Sequence, residues 1–345
     1  MKIVVAPDKF KGSLSAGEAA AAISRGLRHH FPSAEVVEIP IADGGEGTMA
    51  LISESLGAEQ VEVEVTGPMG MPVNARYGIA GRRAVMEMSA ASGFLLVPSD
   101  QRDPWRATTF GTGEMILDAV ARGAEEIIIG IGGSATNDGG KGMAEALAFE
   151  FDEAFKLVGS PEEPFSVRIV TACDVDNPLL GESGCTRIYG PQKGIQIGDF
   201  ERHELRLANL AASVPHISPL TPGAGAAGGL GFGLMAFCGA ELRPGFDLVA
   251  ELTGLEQEIA GADLVITGEG SMDAQTLRGK GPAGVADMAR AAGKRCLGFC
   301  GVAEGREALL ERFDEVVSIS DLASSPEESI REAAALLERA AQSAF

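Results

Sequence analysis

The segment EEIIIGIGGSATNDGGKGMAEALAF, Glu125 to Phe149, is the stretch that decides the fold. Its apolar first part predicts a buried strand, and its last part predicts a helix. The glycine loop between them, Gly132 to Gly140, completes a layout that aims backbone N–H groups at an anion. The loop also carries side chains that can donate to phosphate or ligate a cation: Ser134, Thr136, Asn137 and Asp138. This combination indicates phosphoryl chemistry rather than passive binding.

The flanking sequence continues the alternation of strands and helices. KIVVAP, Lys2 to Pro7, predicts a first strand, and Ser15 with Glu18 matches a capping box at the start of the next helix. From Val61 to Met88 the chain alternates between turn signals, which predicts an antiparallel meander.

These patterns predict an α/β protein with two α/β domains. The first is a doubly wound, Rossmann- or flavodoxin-like domain built from both termini, residues 1–60 and 261–345. The second is an inserted mixed α/β domain, residues 61–260. A length of 345 residues suits two domains.

Charge and composition argue against several classes of protein. The chain has 49 acidic and 28 basic residues and a net charge of −21, which argues against nucleic-acid binding and disfavours an anionic membrane surface. No apolar run approaches the ~20 residues that span a bilayer. The start, MKIVVAPD, predicts a strand and not a signal peptide. Five cysteines without a CxxC motif predict buried thiols in a reducing cytoplasm.

Four polar, glycine-rich loops follow predicted strands, and each carries an acid. They are DKFKGS (8–13), ADGGEG (42–47), GGSATNDGG (132–140) and TGEGSMD (267–273). Ligands bind at the carboxyl ends of strands in open α/β sheets, so the loops together indicate a ligand site. Phosphoryl transfer from ATP needs carboxylates for Mg2+, a base near the acceptor hydroxyl, and cations for the developing charge. The candidate acids are Asp8, Asp43, Glu46, Asp138, Asp174, Asp176, Glu269 and Asp273, and the candidate cations are Lys9, Lys11, Lys193 and Lys280.

The loop acids and the glycine-rich segments also have purely structural interpretations. Any single loop acid can be a helix cap or a turn former. The chain lacks the GxxxxGK[ST] motif of P-loop enzymes, and no Ser–His–acid arrangement is indicated. GAGAAGGLG has a GxGxxG-like spacing at Gly223, Gly225 and Gly228, but no convincing strand precedes it. Close packing of a glycine-rich helix start accounts for that segment as well as a ligand role does.

Taken together, the loops resemble those of the bacterial glycerate kinases of the type-1 family. The matching motifs run in the family's order over nearly the whole chain: APDKFKGSLSA (6–16), ADGGEGT (42–48), GGSATNDGG (132–140), ACDVDNPLLG (172–181), GPQKG (190–194), PGAGAAGGLG (222–231) and TGEGSMDAQTLRGK (267–280).

The resemblance implies transfer of the γ-phosphoryl group of ATP to D-glycerate, with Mg2+, in a cleft between two α/β domains. Related enzymes are mostly assigned 2-phosphoglycerate as product, and the sequence leaves 3-phosphoglycerate open. The partners would be ATP and D-glycerate, and the protein would be a monomer or a homodimer.

Residue roles follow from the resemblance as hypotheses. Asp43 or Asp174 would be the base that positions the glycerate hydroxyl, and positioning should matter more than basicity because the transition state is loose. Lys11 and Lys193 would offset charge on the substrate carboxylate and the transferring phosphoryl group. The expected metal ligands are Asp138 and Asp273, and the residues expected to bind substrate or nucleotide are Asp8, Lys9, Ser13, Gly44, Gly45, Gly133, Ser134, Thr136, Asn137, Gln192, Glu269 and Lys280.

The chain departs from the family pattern at three places. Lys9 stands where the family often has serine, and Ser271 stands where arginine usually follows TGEG. The segment between Glu145 and Val167 looks shorter than usual, so we expect a surface hairpin or helix to be missing.

Two other functions fit parts of the sequence. One is a kinase for another small hydroxy acid, such as tartronate or a sugar acid. The other is a ligand-binding regulator, which predicts loss of the loop acids, yet all are present. An NAD-dependent dehydrogenase would require GxGxxG after the first strand, where DKFKGS stands instead.

Overall fold

The computed structural model describes residues 1–42, 47–278 and 281–345, and these residues confirm the α/β fold. The strands are β1 (Lys2–Pro7), β2 (Glu35–Glu38), β3 (Glu59–Thr66), β4 (Pro72–Ala80), β5 (Arg83–Glu87), β6 (Glu126–Gly130), β7 (Glu150–Phe151), β8 (Leu157–Gly159), β9 (Arg168–Ala172), β10 (Glu241–Arg243), β11 (Leu264–Met272), β12 (Arg295–Ala303) and β13 (Glu315–Ser318). The α-helices are α1 (Ala16–His30), α2 (Thr48–Ser55), α3 (Ser89–Ser92), α4 (Phe110–Ala121), α5 (Lys141–Ala146), α6 (Cys185–Lys193), α7 (Phe200–Ser213), α8 (Ala226–Cys238), α9 (Gly245–Thr253), α10 (Leu255–Ala260), α11 (Pro282–Ala291), α12 (Arg306–Leu309), α13 (Pro326–Arg331) and α14 (Ala333–Ser343). Short 3-10 helices lie at Phe94–Leu96, Ser99–Gln101, Ile197–Asp199, Thr276–Arg278 and Ile319–Asp321.

The chain divides into two compact units. Unit 1 combines Met1–Asp43 with Phe246–Phe345, and unit 2 is Gly44–Gly245. These boundaries differ from 60/61 and 260/261, the positions expected from the sequence. The helix α2 belongs to unit 2 because it contacts β5 and β6, and β3 belongs there because it pairs with β4. At the other end, α10 belongs to unit 1, where it contacts α11.

Unit 1 contains a five-stranded parallel sheet in the order β13-β12-β11-β1-β2. The chain leaves β1 toward β2 on one side and returns through β11 on the other. The carboxyl ends of β1 and β11 are therefore the switch point at which open α/β sheets bind ligands.

Apolar side chains of this sheet pack against α1 and α14. Ile3, Ile266 and Leu297 belong to one buried cluster with residues of these two helices. Alternate residues such as Val4 face the other side of the sheet, and α11 contacts β11 and β12. The predicted capping box of α1 is confirmed, because Ser15 Oγ accepts from the Glu18 N–H at 3.2 Å and Glu18 Oε2 accepts from the Ser15 N–H at 2.8 Å.

Unit 2 contains a six-stranded mixed sheet in the order β10-β9-β6-β5-β4-β3. Strands β5, β6, β9 and β10 are parallel, whereas β3, β4 and β5 form the predicted antiparallel meander. The segment expected to be short contains a small antiparallel hairpin of β7 and β8. Within the described ranges, no helix combines the length and apolar character needed to cross a bilayer.

Candidate active site

The glycine loop of unit 2 connects the carboxyl end of β6 to α5, which confirms the predicted strand–loop–helix layout. Its first two residues, Gly132 and Gly133, are exposed, whereas the loop is buried from Ser134 to Gly140. The side chains expected to meet a ligand therefore lie in the interior of unit 2, and their partners decide what each of them does.

Asp138, a predicted metal ligand, has both carboxylate oxygens bonded within the protein. Oδ2 accepts from the backbone N–H and the hydroxyl of Thr109, both at 2.8 Å, and from the Gly142 N–H at 3.1 Å. Oδ1 accepts from the Gly140 N–H at 3.1 Å. With only 5% of its surface exposed, this carboxylate stabilises the end of the loop and the start of α5.

Lys193, at the end of α6, fixes the middle of the loop. Its ammonium group donates to the carbonyl oxygen of Thr136 at 2.6 Å and to the hydroxyl of Ser134 at 3.3 Å. The Ser134 hydroxyl also lies 3.0 Å from Thr136 Oγ1 and donates to the Ala227 carbonyl at 3.2 Å. Burial lowers the pKa of Lys193 to about 8, although the nearby charge of Asp138 acts in the opposite direction. Three residues predicted to contact phosphate or offset charge thus bond to one another.

Asn137 keeps unused bonding capacity. Its Nδ2 donates to Thr186 Oγ1 at 2.9 Å. Its amide oxygen is buried and receives no hydrogen bond from any described residue. Because an unsatisfied buried acceptor costs free energy, a ligand donor at this oxygen would be stabilising.

The second glycine-rich segment packs directly on the loop. Ala227, Gly228 and Gly229 adopt left-handed backbone conformations, and the Gly139 N–H donates to the Gly228 carbonyl at 3.0 Å. A β-carbon on Gly228 would overlap the carbonyl of Thr136. These contacts favour close packing over dinucleotide binding as the role of GAGAAGGLG.

In unit 1, the loop that follows β1 lies beside the last residues of the neighbouring strand β11. The Asp8 N–H donates to the Gly268 carbonyl at 2.7 Å. The Asp8 carboxylate is buried, and its Oδ1 accepts from the Lys9 N–H at 2.6 Å. Lys11 is exposed and has no ion-pair partner among the described residues. The predicted residue Ser13 is half-buried in the same turn.

The acids that end β11 are also engaged locally. Thr276 Oγ1 donates to Glu269 Oε1 at 2.7 Å. Asp273 Oδ1 accepts from the Gln275 N–H at 2.6 Å, which is the bond of an aspartate that forms a turn.

The remaining predicted residues fall into two groups. Asp174 follows β9 and is half-buried, and its Oδ1 accepts from the Gly245 N–H at 3.1 Å. Gln192 is exposed on α6, next to Lys193. Four other predicted site residues lie outside the described residues: Asp43, Gly44, Gly45 and Lys280.

The predicted metal ligands, Asp138 and Asp273, are not part of a metal-binding cluster among the described residues. In the described ranges, no group of three or more His, Cys, Asp and Glu side chains is arranged to hold a metal ion. The two predicted ligands, Asp138 and Asp273, lie in different units, and each accepts hydrogen bonds from its own loop. The acids of ADGGEG, Asp43 and Glu46, lie outside the described residues.

Two threonines that hold the loop were missed by sequence reasoning. The buried Thr109 hydroxyl donates to Asp138 and accepts from the Met143 N–H at 2.9 Å. Thr186 is the partner of Asn137. Thr109 stands at the N-cap position of α4, where threonine is frequent, but its side chain makes no capping hydrogen bond, so the sequence carries no signal for its contact with Asp138.

Comparison with known proteins places these loops in a family. The family model described as "Glycerate kinase family" matches residues 3–345. The chain belongs to the glycerate kinase family. Glycerate 2-kinase of Escherichia coli K12 is 46% identical over 87% of this chain and 85% of its own length. Glycerate kinase of Halalkalibacterium halodurans is 43% identical over 99% of this chain and 96% of its own length. A crystal structure from Salmonella typhimurium LT2, assigned to glycerate kinase 2, superimposes with a TM-score of 0.86 at 42% identity, and covers 100% of this chain and 97% of that chain.

Proposed function

We propose that this protein transfers the γ-phosphoryl group of ATP to D-glycerate. The observation that carries the proposal is the match of the glycerate kinase family model to residues 3–345. The loops at the carboxyl ends of β1, β6, β9 and β11 agree with it, because such loops bind ligands in α/β enzymes. The expected location of the active site between two domains stays a prediction.

We further propose that oxygen 2 of glycerate is phosphorylated, giving 2-phosphoglycerate. The support is the relative from Escherichia coli K12, which is named glycerate 2-kinase and is 46% identical.

In this reaction Asp43 or Asp174 would position the acceptor hydroxyl and accept its proton. Lys11 is an exposed cation that would offset negative charge on the substrates. Lys193 would act less directly, because its ammonium group is bonded to the loop carbonyl of Thr136. The transition state of phosphoryl transfer is loose, so accurate positioning should contribute more to the rate than strong basicity.

A requirement for Mg2+ also stays a prediction. Phosphoryl transfer from ATP ordinarily uses it, but the described residues form no ligand set for a metal ion. Titration of the purified enzyme with EDTA and then with MgCl2 tests the requirement directly.

We also propose a cytoplasmic location, supported by five cysteines that all remain free thiols. The expectation of a monomer or a homodimer stays a prediction. Sedimentation velocity would distinguish the two states.

The decisive experiment is a coupled assay with ATP, Mg2+ and D-glycerate, followed by phosphorus NMR of the product. We expect turnover and a resonance of 2-phosphoglycerate, whereas a 3-phosphoglycerate resonance would correct the attacked oxygen. ATP binding without glycerate turnover would point to another hydroxy acid. Failure to bind ATP would contradict the kinase and favour a ligand-binding regulator.

A further inference from the structure

The exposed part of the glycine loop, Gly132 to Gly140, is its backbone and not its side chains. Ser134 and Thr136 are buried and bonded to Lys193 or to one another, and the Asp138 carboxylate receives four hydrogen bonds. Only the turn at Gly132 and Gly133 reaches the surface. An anion that approaches this loop therefore meets peptide groups first.

Three consecutive backbone N–H groups lie in this turn and directly after it: those of the exposed Gly132 and Gly133 and that of the buried Ser134. They donate to no acceptor among the described residues. The turn is nevertheless held in place on both sides. The Phe94 N–H donates to the Gly133 carbonyl at 2.9 Å, and the Ala135 N–H donates to the Ser92 carbonyl at 3.0 Å.

Two carboxylates lie near the carboxyl end of β6. Glu87, on the neighbouring strand β5, lies beside Gly130, and its Oε1 accepts from the Met49 N–H at 3.4 Å. The turn itself contains no acid, and the nearest loop carboxylate in sequence, Asp138, is occupied by its own donors. Consecutive free N–H groups on a fixed, glycine-rich turn form a concave site for an oxyanion.

Gly132 is not required by the packing of the protein. A β-carbon built there meets no other atom within 4 Å, and the residue is not in the left-handed region. The space in front of it is open, so alanine would fit the folded protein and would add a methyl group to the open side of the turn.

We propose that the backbone N–H groups of Gly132, Gly133 and Ser134 form the oxyanion-binding element of this enzyme. The anion is either a phosphate of the nucleotide or the carboxylate of the acceptor, since both present oxygen atoms to N–H donors. The identity of the anion rests on the proposed function, whereas the oxyanion-binding element formed by these three N–H groups, here called the cradle, does not.

The test compares Gly132→Ala with Gly198→Ala. Gly198 also has open space around its α-carbon and lies outside the left-handed region, so both variants should melt at the wild-type temperature. In Gly132→Ala the Kd for ADP or the KM for one substrate should rise at least ~10-fold, as expected for lost hydrogen bonds to a charged group. Gly198→Ala should keep the wild-type values.

The pattern of change identifies the anion. A higher Kd for ADP, measured by calorimetry, together with a higher KM for ATP would assign a nucleotide phosphate. A higher KM for glycerate alone would assign the carboxylate. Normal values for both substrates in a Gly132→Ala protein of normal stability would overturn the cradle.

A second measurement needs neither a variant nor turnover. Amide resonances of Gly132 and Gly133 in the 15N-labelled wild-type protein should shift when inorganic phosphate, ADP or glycerate is added. Unmoved resonances at saturating ligand would overturn the proposal even if Gly132→Ala fails to fold. If the enzyme does not phosphorylate glycerate but these amides shift with ADP or phosphate, the proposed function fails while the cradle stands.

Discussion

Several side chains predicted to bind a ligand at the glycine loop form hydrogen bonds within the protein instead. Lys193 is the clearest case, because its ammonium group bonds to the Thr136 carbonyl and is 4% exposed. The inward direction of Ser134 could not be predicted from the loop alone. It depends on the Ala227 carbonyl, 93 residues away, and on an α6 helix that sequence reasoning did not anticipate.

The pKa of Lys193 predicts opposite pH trends for stability and activity. Burial lowers this pKa to about 8, below the ~10.4 of an unfolded lysine. Between these values the unfolded state binds more protons at this side chain, so the contribution of Lys193 to the free energy of unfolding should rise with pH. The buried thiols of Cys185, Cys238, Cys296 and Cys300 have raised pKa values and act in the opposite direction, so the contribution is read as a difference between variants. Activity should fall as pH rises through about 8, because the charged bond to Thr136 weakens.

Relative to wild type, Lys193→Met should lose this rising contribution to stability and the fall in activity above about pH 8. Lys294→Met changes a half-buried lysine whose side chain has no partner among the described residues, and it should follow the wild-type trends. Urea unfolding and kcat/KM at pH 7 to 10 are the measurements. Parallel trends in wild type and Lys193→Met would contradict this role.

The choice between the two candidate bases is a separate prediction. Asp43→Asn or Asp174→Asn should lower kcat at least ~10²-fold in the folded enzyme, whichever is the base. Asp176→Asn is the control, since Asp176 is exposed in the same loop as Asp174. Steady-state kinetics with circular dichroism decides it, and near-normal turnover in both variants would remove both residues from the role.

At the level of helices, strands and loops, local patterns were predictable and long-range packing was not. The capping box of α1 and the meander of β3 to β5 follow from spacing within about ten residues and are confirmed. The helix α6 was missed because it contains Pro191 and begins without a capping side chain. The predicted helix after the loop ends early, at Ala146, because Ala148 turns to a positive φ of 67°.

Contact between the two glycine-rich segments should make Gly228 intolerant of substitution. Gly228→Ala places a β-carbon against the Thr136 carbonyl and should destabilise the protein by ~2–4 kcal/mol. Gly239→Ala is matched for its left-handed backbone but has open space, so it should cost only about 1 kcal/mol. Equal losses in chemical denaturation would show that backbone strain, and not contact with the loop, governs Gly228.

Trp105 is the sole tryptophan and reports on a second cluster in unit 2. The Arg206 guanidinium lies 3.8 Å from the centre of the Trp105 ring and 3.9 Å from the centre of the Phe155 ring. It also donates a hydrogen bond to the backbone carbonyl of Trp105 at 2.9 Å. Arg206→Met should cost ~1–3 kcal/mol and red-shift the emission of Trp105.

Arg202→Met is the control for this cluster, because Arg202 is exposed and lies farther from the ring, at 4.6 Å. It should cost less than about 1 kcal/mol. Unfolding followed by Trp105 fluorescence compares the two variants, and an equal effect would contradict the special position of Arg206.

The whole molecule consists of one continuous unit and one unit assembled from both ends of the chain. The buried cluster that includes Met86, Ile129 and Leu230 lies entirely within unit 2. A fragment of residues 44–245 should therefore fold alone and melt cooperatively by calorimetry. A fragment of residues 1–245 contains β1 and β2 without their neighbour β11, and it should aggregate more readily. A non-cooperative melt of the 44–245 fragment would contradict an independently folding unit 2.

The strand order of unit 1 has a consequence for synthesis on the ribosome. The apolar β1 is synthesised well before β11, yet its Ile3 pairs with Leu264 of that strand. At about 5–20 residues per second, roughly 10–50 s of translation separate the two strands. During that interval a nascent hydrophobic strand has one edge without its native neighbour, which makes it a natural client for chaperones that bind emerging chains.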